Sequence, residues 1–371
     1  MDCDVAVVGG GPAGCAAALV LLEAGLSVSL IDPDDRSVLR VGESLPAACG
    51  RLLARLGLGS VETFLKEDAR RPCVAHESAW ASPSWERRDA MLDPEGGGWH
   101  IDRAGFDRSL YKAALQRGAN SVRGEIADVT EVRGSAKSQF ELRVNRGPER
   151  AGAIKARWLV DATGRTSRCG KALGVQRERI SAQMAVARWF EAPSDDGDQT
   201  TRIVATKDGW WYSARLPNGL RVVVFHCLPE EVSRIKTESS EFAHRCNSSD
   251  LLPYSVTSLV SVADSVVRDA GMSRLVTPAG ERWLAVGDAA IGFDPLSSQG
   301  LLFALYSGVR GAEAILQART SGADFSGYTK KVESVFVANR DSRMYHYTSV
   351  LRFREYPYWR QSIGLSTIKA D

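Results

Sequence analysis

An α/β fold, in which a nucleotide-binding βαβ unit shares the chain with an interleaved β-rich lobe, is what this sequence predicts. Three observations carry the prediction. Residues 4–14 form a short apolar run that ends in Gly9-x-Gly11-Pro12-Ala13-Gly14. Two further apolar runs end in glycine-and-acid pairs, Asp161-Ala162-Thr163-Gly164 and Gly287-Asp288-Ala289-Ala290. Between those two, the stretch from Met184 to Pro229 is β-rich, with apolar runs of strand length.

Bulk properties narrow the class. A chain of 371 residues exceeds one ordinary domain, so two lobes are expected. With 44% hydrophobic and 25% charged residues it has the composition of a globular protein with a full core. The balance of 47 Lys and Arg against 45 Asp and Glu, with no basic tract, excludes a dedicated nucleic-acid binder. Seven scattered cysteines, odd in number and without a Cys-x-x-Cys, imply free thiols in a reducing cytoplasm. The apolar segment Val5 to Leu22 is neither a leader nor a membrane helix. Acidic Asp2 and Asp4 flank it, and Gly9 to Pro12 would break a helix in its middle. No membrane partner is expected.

Taken in order, residues 4–8 are a buried parallel strand, Ala13 to Leu26 a helix, and Ser27 to Ile31 a second strand leading to Asp32. Val41-Gly42-Glu43-Ser44 precedes a helix near Ala48 to Leu56, which Gly57 stops. From Pro72 to Trp99 the pattern is short and irregular. Asp102-Arg103 opens a helix over Ala104 to Arg117, and residues 121–160 alternate as hairpins with turns at Gly134 and Gly147-Pro148. Strands are predicted at Met184 to Phe190, Arg202 to Thr206, Trp210 to Leu216 and Arg221 to Cys227, the last two joined at Pro217-Asn218-Gly219. Residues 230–250 are polar, helical or loop-like; Gly300 to Arg319 has helical spacing, and the tail from Phe325 is helical and rich in aromatic residues.

The first glycine motif sits between a strand and a helix, the setting that gives it meaning. Gly9 permits a tight turn, Gly11 lets backbone approach a pyrophosphate, and Gly14 lets helix and strand pack closely. The helix N-terminus then offers free amides and positive dipole to the diphosphate. Asp32, at the end of the second strand, suits an acceptor for ribose hydroxyls. This unit by itself does not distinguish NAD from FAD.

The other two motifs do. Together with Val41-Gly42-Glu43-Ser44, Asp102-Arg103-x-x-Phe106-Asp107 and Asp294-Pro295-Leu296-Ser297-Ser298-Gln299-Gly300, they make residues 1–320 resemble the FAD-dependent monooxygenases of the aromatic-hydroxylase superfamily. Within it the chain is most similar to the flavin-dependent tryptophan halogenases and to the small flavoprotein maturases of quinone-cofactor (lysine and glycine oxidase) enzymes. The resemblance implies a Rossmann-like FAD-binding lobe, an interleaved β-sheet substrate lobe and a C-terminal helical segment. The corresponding divisions are 1–70, 100–175 and 272–322 for the cofactor lobe, 71–99 and 176–271 for the substrate lobe, and 323–371 for the tail. It also implies non-covalent FAD held by Gly9, Gly11, Pro12, Ala13, Gly14, Asp32, Glu43, Arg103, Asp161, Gly164, Asp288, Pro295, Gly300 and Leu301. Asp288 inherits the ribityl chain, and the helix opening at Gly300 would place dipole and amides near the isoalloxazine edge. A buried Asp288 lacking a partner would be costly, which favours a ligand for it.

Two departures from the halogenase pattern matter. Those enzymes use a lysine downstream of the Val-Gly-Glu segment; between Glu43 and Tyr111 this chain has only Lys66, in a charged run, and the relay register falls near Pro72-Cys73. The strand Gly209-Trp210-Trp211-Tyr212 also lacks the alternating tryptophan order of that family. Oxygen transfer to an electron-rich aromatic ring is therefore the expected reaction, with a peptidyl tryptophan in a partner oxidase as one substrate. Halogenation, a flavin-linked reductase or dehydrogenase, and a non-catalytic flavin-holding assembly partner are the alternatives. Trp211, Tyr212 and His226 are the candidate catalytic residues, with His76 a further acid/base candidate. Trp210 and Trp211 on a strand more often serve sheet packing than a substrate wall. The five histidines show no metal-ligand spacing, so no metal is expected. With no second dinucleotide motif, a separate flavin reductase or transient NAD(P)H must supply electrons.

Overall fold

The long strand Glu149–Asp161 is the axis of the first sheet. Asp2–Val8 runs parallel to it on one side and Trp283–Ala285 parallel on the other, and Val28–Asp32 and Asn120–Arg123 extend the parallel order beyond Asp2–Val8. Strands Phe140–Arg146 and Glu125–Glu131 form an antiparallel ribbon on the outer part of Glu149–Asp161. The computed structural model describes residues 2–33, 39–132, 140–146, 149–237 and 239–364. The predicted turns at Gly134 and Gly147-Pro148 lie outside the described residues.

The helix Pro12–Glu23 follows the first strand and is apolar on every side; Ala16, Ala17, Ala18 and Leu19 are fully buried. That fits its place between the sheet and the helix Gly300–Ser321, which approaches so closely that a Cβ on Gly308 would lie 2.3 Å from the Ala13 carbonyl oxygen. Each such fully buried Val or Leu side chain contributes about 1.5–3 kcal/mol of transfer free energy. The helix ends at Glu23, short of the predicted Leu26, because Gly25 takes a left-handed conformation (φ +78°) that turns the chain into the next strand.

A second sheet of seven strands has the order Val266–Asp269, Met184–Glu191, Leu220–Cys227, Gly209–Arg215, Thr200–Thr206, Ala75–Ala79 and Glu86–Asp89. The four strands predicted between Met184 and Cys227 are all present, and Gly219 (φ +83°) closes the hairpin between the last two. Residues 72–99 are more regular than their sequence pattern suggests. Ala75–Ala79 joins this sheet through parallel pairing with Thr200–Thr206, a long-range contact that no local pattern announces. A small sheet of Ser44–Leu45, Trp99–Ile101 and Arg70–Pro72 lies beside it.

The tail forms the helices Ser326–Thr348 and Pro357–Ser362. Its aromatic side chains Tyr347, Tyr358 and Trp359 pack with Trp80, Trp189, Trp210 and Tyr212 on one face of the seven-stranded sheet. The opposite face carries Val186, Phe190, Trp211 and Phe225 and is covered by the helices Val232–Thr237 and Ser239–Asn247. Among the described residues no helix is long and apolar enough to cross a membrane.

Candidate active site

The glycine cradle is fixed by close approaches. Gly9 has φ +108°, and a Cβ there would sit 2.2 Å from the Ala162 carbonyl oxygen. One on Gly14 would sit 1.9 Å from the Gly9 carbonyl oxygen. Neither position admits a side chain, so the first and second motifs are interlocked. Gly11 differs: a Cβ on it would meet nothing within 4 Å. The chain itself therefore gives no reason for glycine at that position, whereas a ligand lying against the backbone would. Gly11 is the N-cap of Pro12–Glu23, with Pro12 first in the helix and no side chain capping it, so the first amides remain free for an anion. Asp32 closes the cradle by accepting from the Gly10 amide at 2.5 Å.

Asp161 is placed differently from the expectation of a cofactor ligand. It is fully buried, and both carboxylate oxygens are occupied: Oδ1 by the Thr163 amide (3.0 Å) and hydroxyl (2.6 Å), Oδ2 by the Gly170 amide (2.8 Å). Burial still holds its carboxyl above the usual range. Its work is to shape the turn through Gly164 (φ +68°) on which Gly9 rests.

The third motif forms a turn at Gly287–Ala289, where Gly287 (φ +58°) leaves room for Ala13. Asp288 is not buried. Its side chain is 39% exposed, and Arg165 Nε stands 3.4 Å from its carboxylate. The cost of an isolated buried charge therefore does not apply to it; an exposed acceptor beside the glycine cradle does. Arg165 donates to the Phe293 and Gly271 carbonyls, and Arg177 to the Asp288 and Ala289 carbonyls, so two arginines pin this loop. Sequence reading missed both, although Arg165 directly follows the second motif.

Asp294 is the buried member of the pair. Its Oδ1 caps Leu296 (3.0 Å), and its Oδ2 accepts from Arg343 Nε (2.8 Å) and the Tyr347 hydroxyl (3.0 Å). The loop is thereby clamped to the tail helix Ser326–Thr348. Pro295 opens a short 3₁₀ turn, and Gly300 starts the helix Gly300–Ser321 behind an N-cap, Gln299, that makes no side-chain cap. A Cβ on Gly300 would also meet open space, and Leu301 is buried behind it.

Arg103 holds the Val41-Gly42 segment, donating to both carbonyls (3.0 and 2.9 Å) while pairing with Asp107 at 3.3 Å. That posture leads directly to Glu43. Its carboxyl is 3% exposed, accepts from the Gly42 amide (2.9 Å) and is hydrogen-bonded to Tyr212; burial pushes its pKa up. The Tyr212 hydroxyl is also 3.1 Å from Ser44 Oγ.

Of the three candidate catalytic residues, the structure brings only Tyr212 to the Val41–Ser44 segment. Trp211 points to the other face of the sheet, where it stacks on Phe225 at 4.4 Å and meets Phe242 edge-on. His226 shares the Tyr212 face but lies flat on Trp210 (3.6 Å), with Nδ1 buried and unpartnered. Burial pulls its pKa down to about 3, so it is neutral at pH 7 and poorly suited to take a proton. His76 is exposed on Ala75–Ala79. A group that sequence did not single out lies nearby: His100 Nε2 is 2.9 Å from Thr201 Oγ1, which also meets Cys73 Sγ at 3.6 Å. Cys73 is 5% exposed. Lys66 is exposed, as is every other lysine among the described residues. All seven cysteines are free, and among the described residues no three His, Cys, Asp or Glu side chains gather to hold a metal.

The residues fit a flavin dinucleotide: an uncapped helix N-terminus, open space over Gly11 and Gly300, and acidic acceptors at Asp32 and Asp288. Comparison with known proteins agrees. Residues 2–305 match the model of the FAD binding domain family. LodB of Marinomonas mediterranea, named as an FAD-dependent oxidoreductase, is 29% identical over 84% of this chain and 84% of its own. A 1H-pyrrole-2-carbonyl-[peptidyl-carrier protein] brominase of Pseudoalteromonas luteoviolacea is 26% identical over 85% of this chain and 77% of its own. Among solved structures, the flavin-dependent halogenase CmlS superposes with a TM-score of 0.84 at 22% identity, covering 98% of this chain and 68% of that one. The peptidyl tryptophan dihydroxylase QhpG superposes with a TM-score of 0.75 at 20% identity, covering 98% and 79%. These two likenesses are of fold.

Proposed function

Because this chain belongs to the FAD binding domain family and is an FAD-dependent enzyme of the halogenase and monooxygenase group, we propose that it adds oxygen to an aromatic ring, and that the ring is a tryptophan side chain of a partner oxidase whose quinone cofactor is being made. The observation that carries this reading is the absence of a buried lysine among the described residues; the resemblance would put a halogen relay near Pro72-Cys73, where the chain has no lysine. The similarity to LodB and the fold shared with a peptidyl tryptophan dihydroxylase support the substrate class.

In this reading the cofactor lobe comprises 1–70, 100–175 and 272–322, the substrate lobe 71–99 and 176–271, and 323–371 a covering tail. FAD, when bound, supplies the oxygen chemistry, reduced by a separate reductase or by transient NAD(P)H. The amides after Gly11 hold the pyrophosphate, Asp32 the ribose and Asp288 the ribityl hydroxyls. The amides and dipole at Gly300 stabilise negative charge at the ring edge. Glu43 and Tyr212 set a buried carboxyl, whose pKa desolvation raises, and a buried phenol at the boundary between the Val41–Ser44 segment and the aromatic sheet face.

The brominase relative favours a second reading, halogenation. Supplying the FAD-loaded protein with a flavin reductase, NADH, ¹⁸O-labelled dioxygen and a tryptophan-containing precursor polypeptide tests the first. Incorporation of labelled oxygen at the tryptophan is expected; turnover of the reductant without labelled product from any aromatic substrate would overturn it.

A further inference from the structure

Behind the seven-stranded sheet, on the face away from Tyr212, lies a cavity of about 810 Å³. It is bounded by Met184–Glu191, by the helices Val232–Thr237 and Ser239–Asn247, and by the segment 256–265. Its volume falls in the range of small-molecule sites. Phe190, Phe242, Val256 and Leu259 give it an apolar lining, and two cations, Arg188 and Lys236, reach it.

Arg188 is the unusual member. Strand alternation turns it to this face beside Val186 and Phe190, and it is only 8% exposed. Its Nε donates to Ser265 Oγ at 2.7 Å, one terminal nitrogen reaches the Ile235 carbonyl at 3.5 Å, and the guanidinium lies 4.8 Å over the Phe242 ring. Among the described residues no carboxylate is ion-paired with it; Asp264, at the cavity wall, acts only from a distance. The other deeply buried arginines differ: Arg221 has Asp196 at 2.8 Å and Arg343 has Asp294 at 2.8 Å. Buried charges are costly unless paired, and burial accordingly lowers the pKa of Arg188.

We propose that this cavity is a second binding site, for a small organic anion with an apolar body, whose carboxylate or phosphate pairs with Arg188 and Lys236 while its ring or chain rests on Phe190 and Phe242. The hydroxyl-bearing wall 257–265 supplies further hydrogen bonds to the anionic head, and exposed Val262 also lines the cavity. The site is independent of the oxygen chemistry and would stand if that chemistry were reassigned.

Benzoate is a suitable probe, with benzyl alcohol as its neutral counterpart. FAD-loaded protein titrated with each by calorimetry and thermal melting should bind benzoate saturably and respond to benzyl alcohol at least tenfold more weakly. Arg188→Met should weaken benzoate binding at least tenfold and leave FAD affinity unchanged. Its melting temperature without benzoate should match or exceed that of the parent, since an unpaired buried charge is gone. Should Arg188→Met fail to fold, the exposed changes Lys236→Gln and Val262→Asp decide: severalfold weaker benzoate binding supports the site. No saturable response in the parent protein, or undiminished binding in these variants, overturns it.

Discussion

Asp288 and Asp294 belong to one loop, yet they have opposite surroundings. Asp288 is part-exposed beside Arg165, whereas Asp294 is 1% exposed and bound to Arg343 and Tyr347. Asp288→Ala should leave apo-protein melting unchanged and weaken FAD by roughly ten- to a hundredfold, the loss of one charge-assisted hydrogen bond of about 1.5–3 kcal/mol. A fluorescence-measured Kd within about twofold of the parent's would remove Asp288 from the cofactor's contacts. Asp294→Ala strands a buried guanidinium and should destabilise the fold by about 3–5 kcal/mol in urea unfolding. The histidines set a pH dependence. His226 and His100 are held neutral by burial, with pKa values pulled down to about 3 and about 4. Each binds fewer protons folded than unfolded, so stability is full above about pH 6.5 and falls as the pH drops toward those values. By about pH 5 each costs on the order of 2 kcal/mol. His226→Phe keeps a ring on Trp210 and should make the acid slope shallower; an unchanged slope would mean His226 is not a source of it.

The glycine turn and the tail show what elements add beyond residue type. Gly11→Ala should fold as the parent does and lose FAD affinity, because its new methyl meets no protein atom and points into open space. Gly14→Ala should fail on stability with or without FAD, because the methyl would overlap the Gly9 carbonyl. Equal melting temperatures for the two apo variants would contradict this division. Both glycines were visible in the sequence as one motif; their different reasons were not, since only the packed turn shows what each would touch. The same limit applies to Asp161, whose motif was legible but whose oxygens are occupied by its own turn. Ala75–Ala79 escaped notice because its partner Thr200–Thr206 is far along the chain. Local apolar runs did suffice to find the four strands between Met184 and Cys227, two of whose pairings, Thr200–Thr206 with Gly209–Arg215 and Gly209–Arg215 with Leu220–Cys227, join strands adjacent in the chain.

Across the whole molecule, the tail joins the Asp294 loop to the seven-stranded sheet: Arg343 donates to Asp294, the Tyr347 hydroxyl lies within hydrogen-bond distance of both Asp294 Oδ2 and Gln183 Oε1, and Tyr358 donates to Gln183 Oε1. The aromatic richness of the tail was plain in the sequence, but its docking onto Trp80 and Trp210 was not, because long-range packing leaves no local pattern. That packing presents an aromatic, lysine-free face beside Glu43 and Tyr212, the physical basis for expecting oxygen transfer in a group that includes halogenases. The most direct test gives the enzyme reduced FAD, dioxygen and bromide together, with an aromatic substrate, and follows product mass for the parent and for Lys66→Ala. A gain of oxygen that is independent of bromide and unaffected by Lys66→Ala is the predicted result; a brominated product abolished by Lys66→Ala would contradict it.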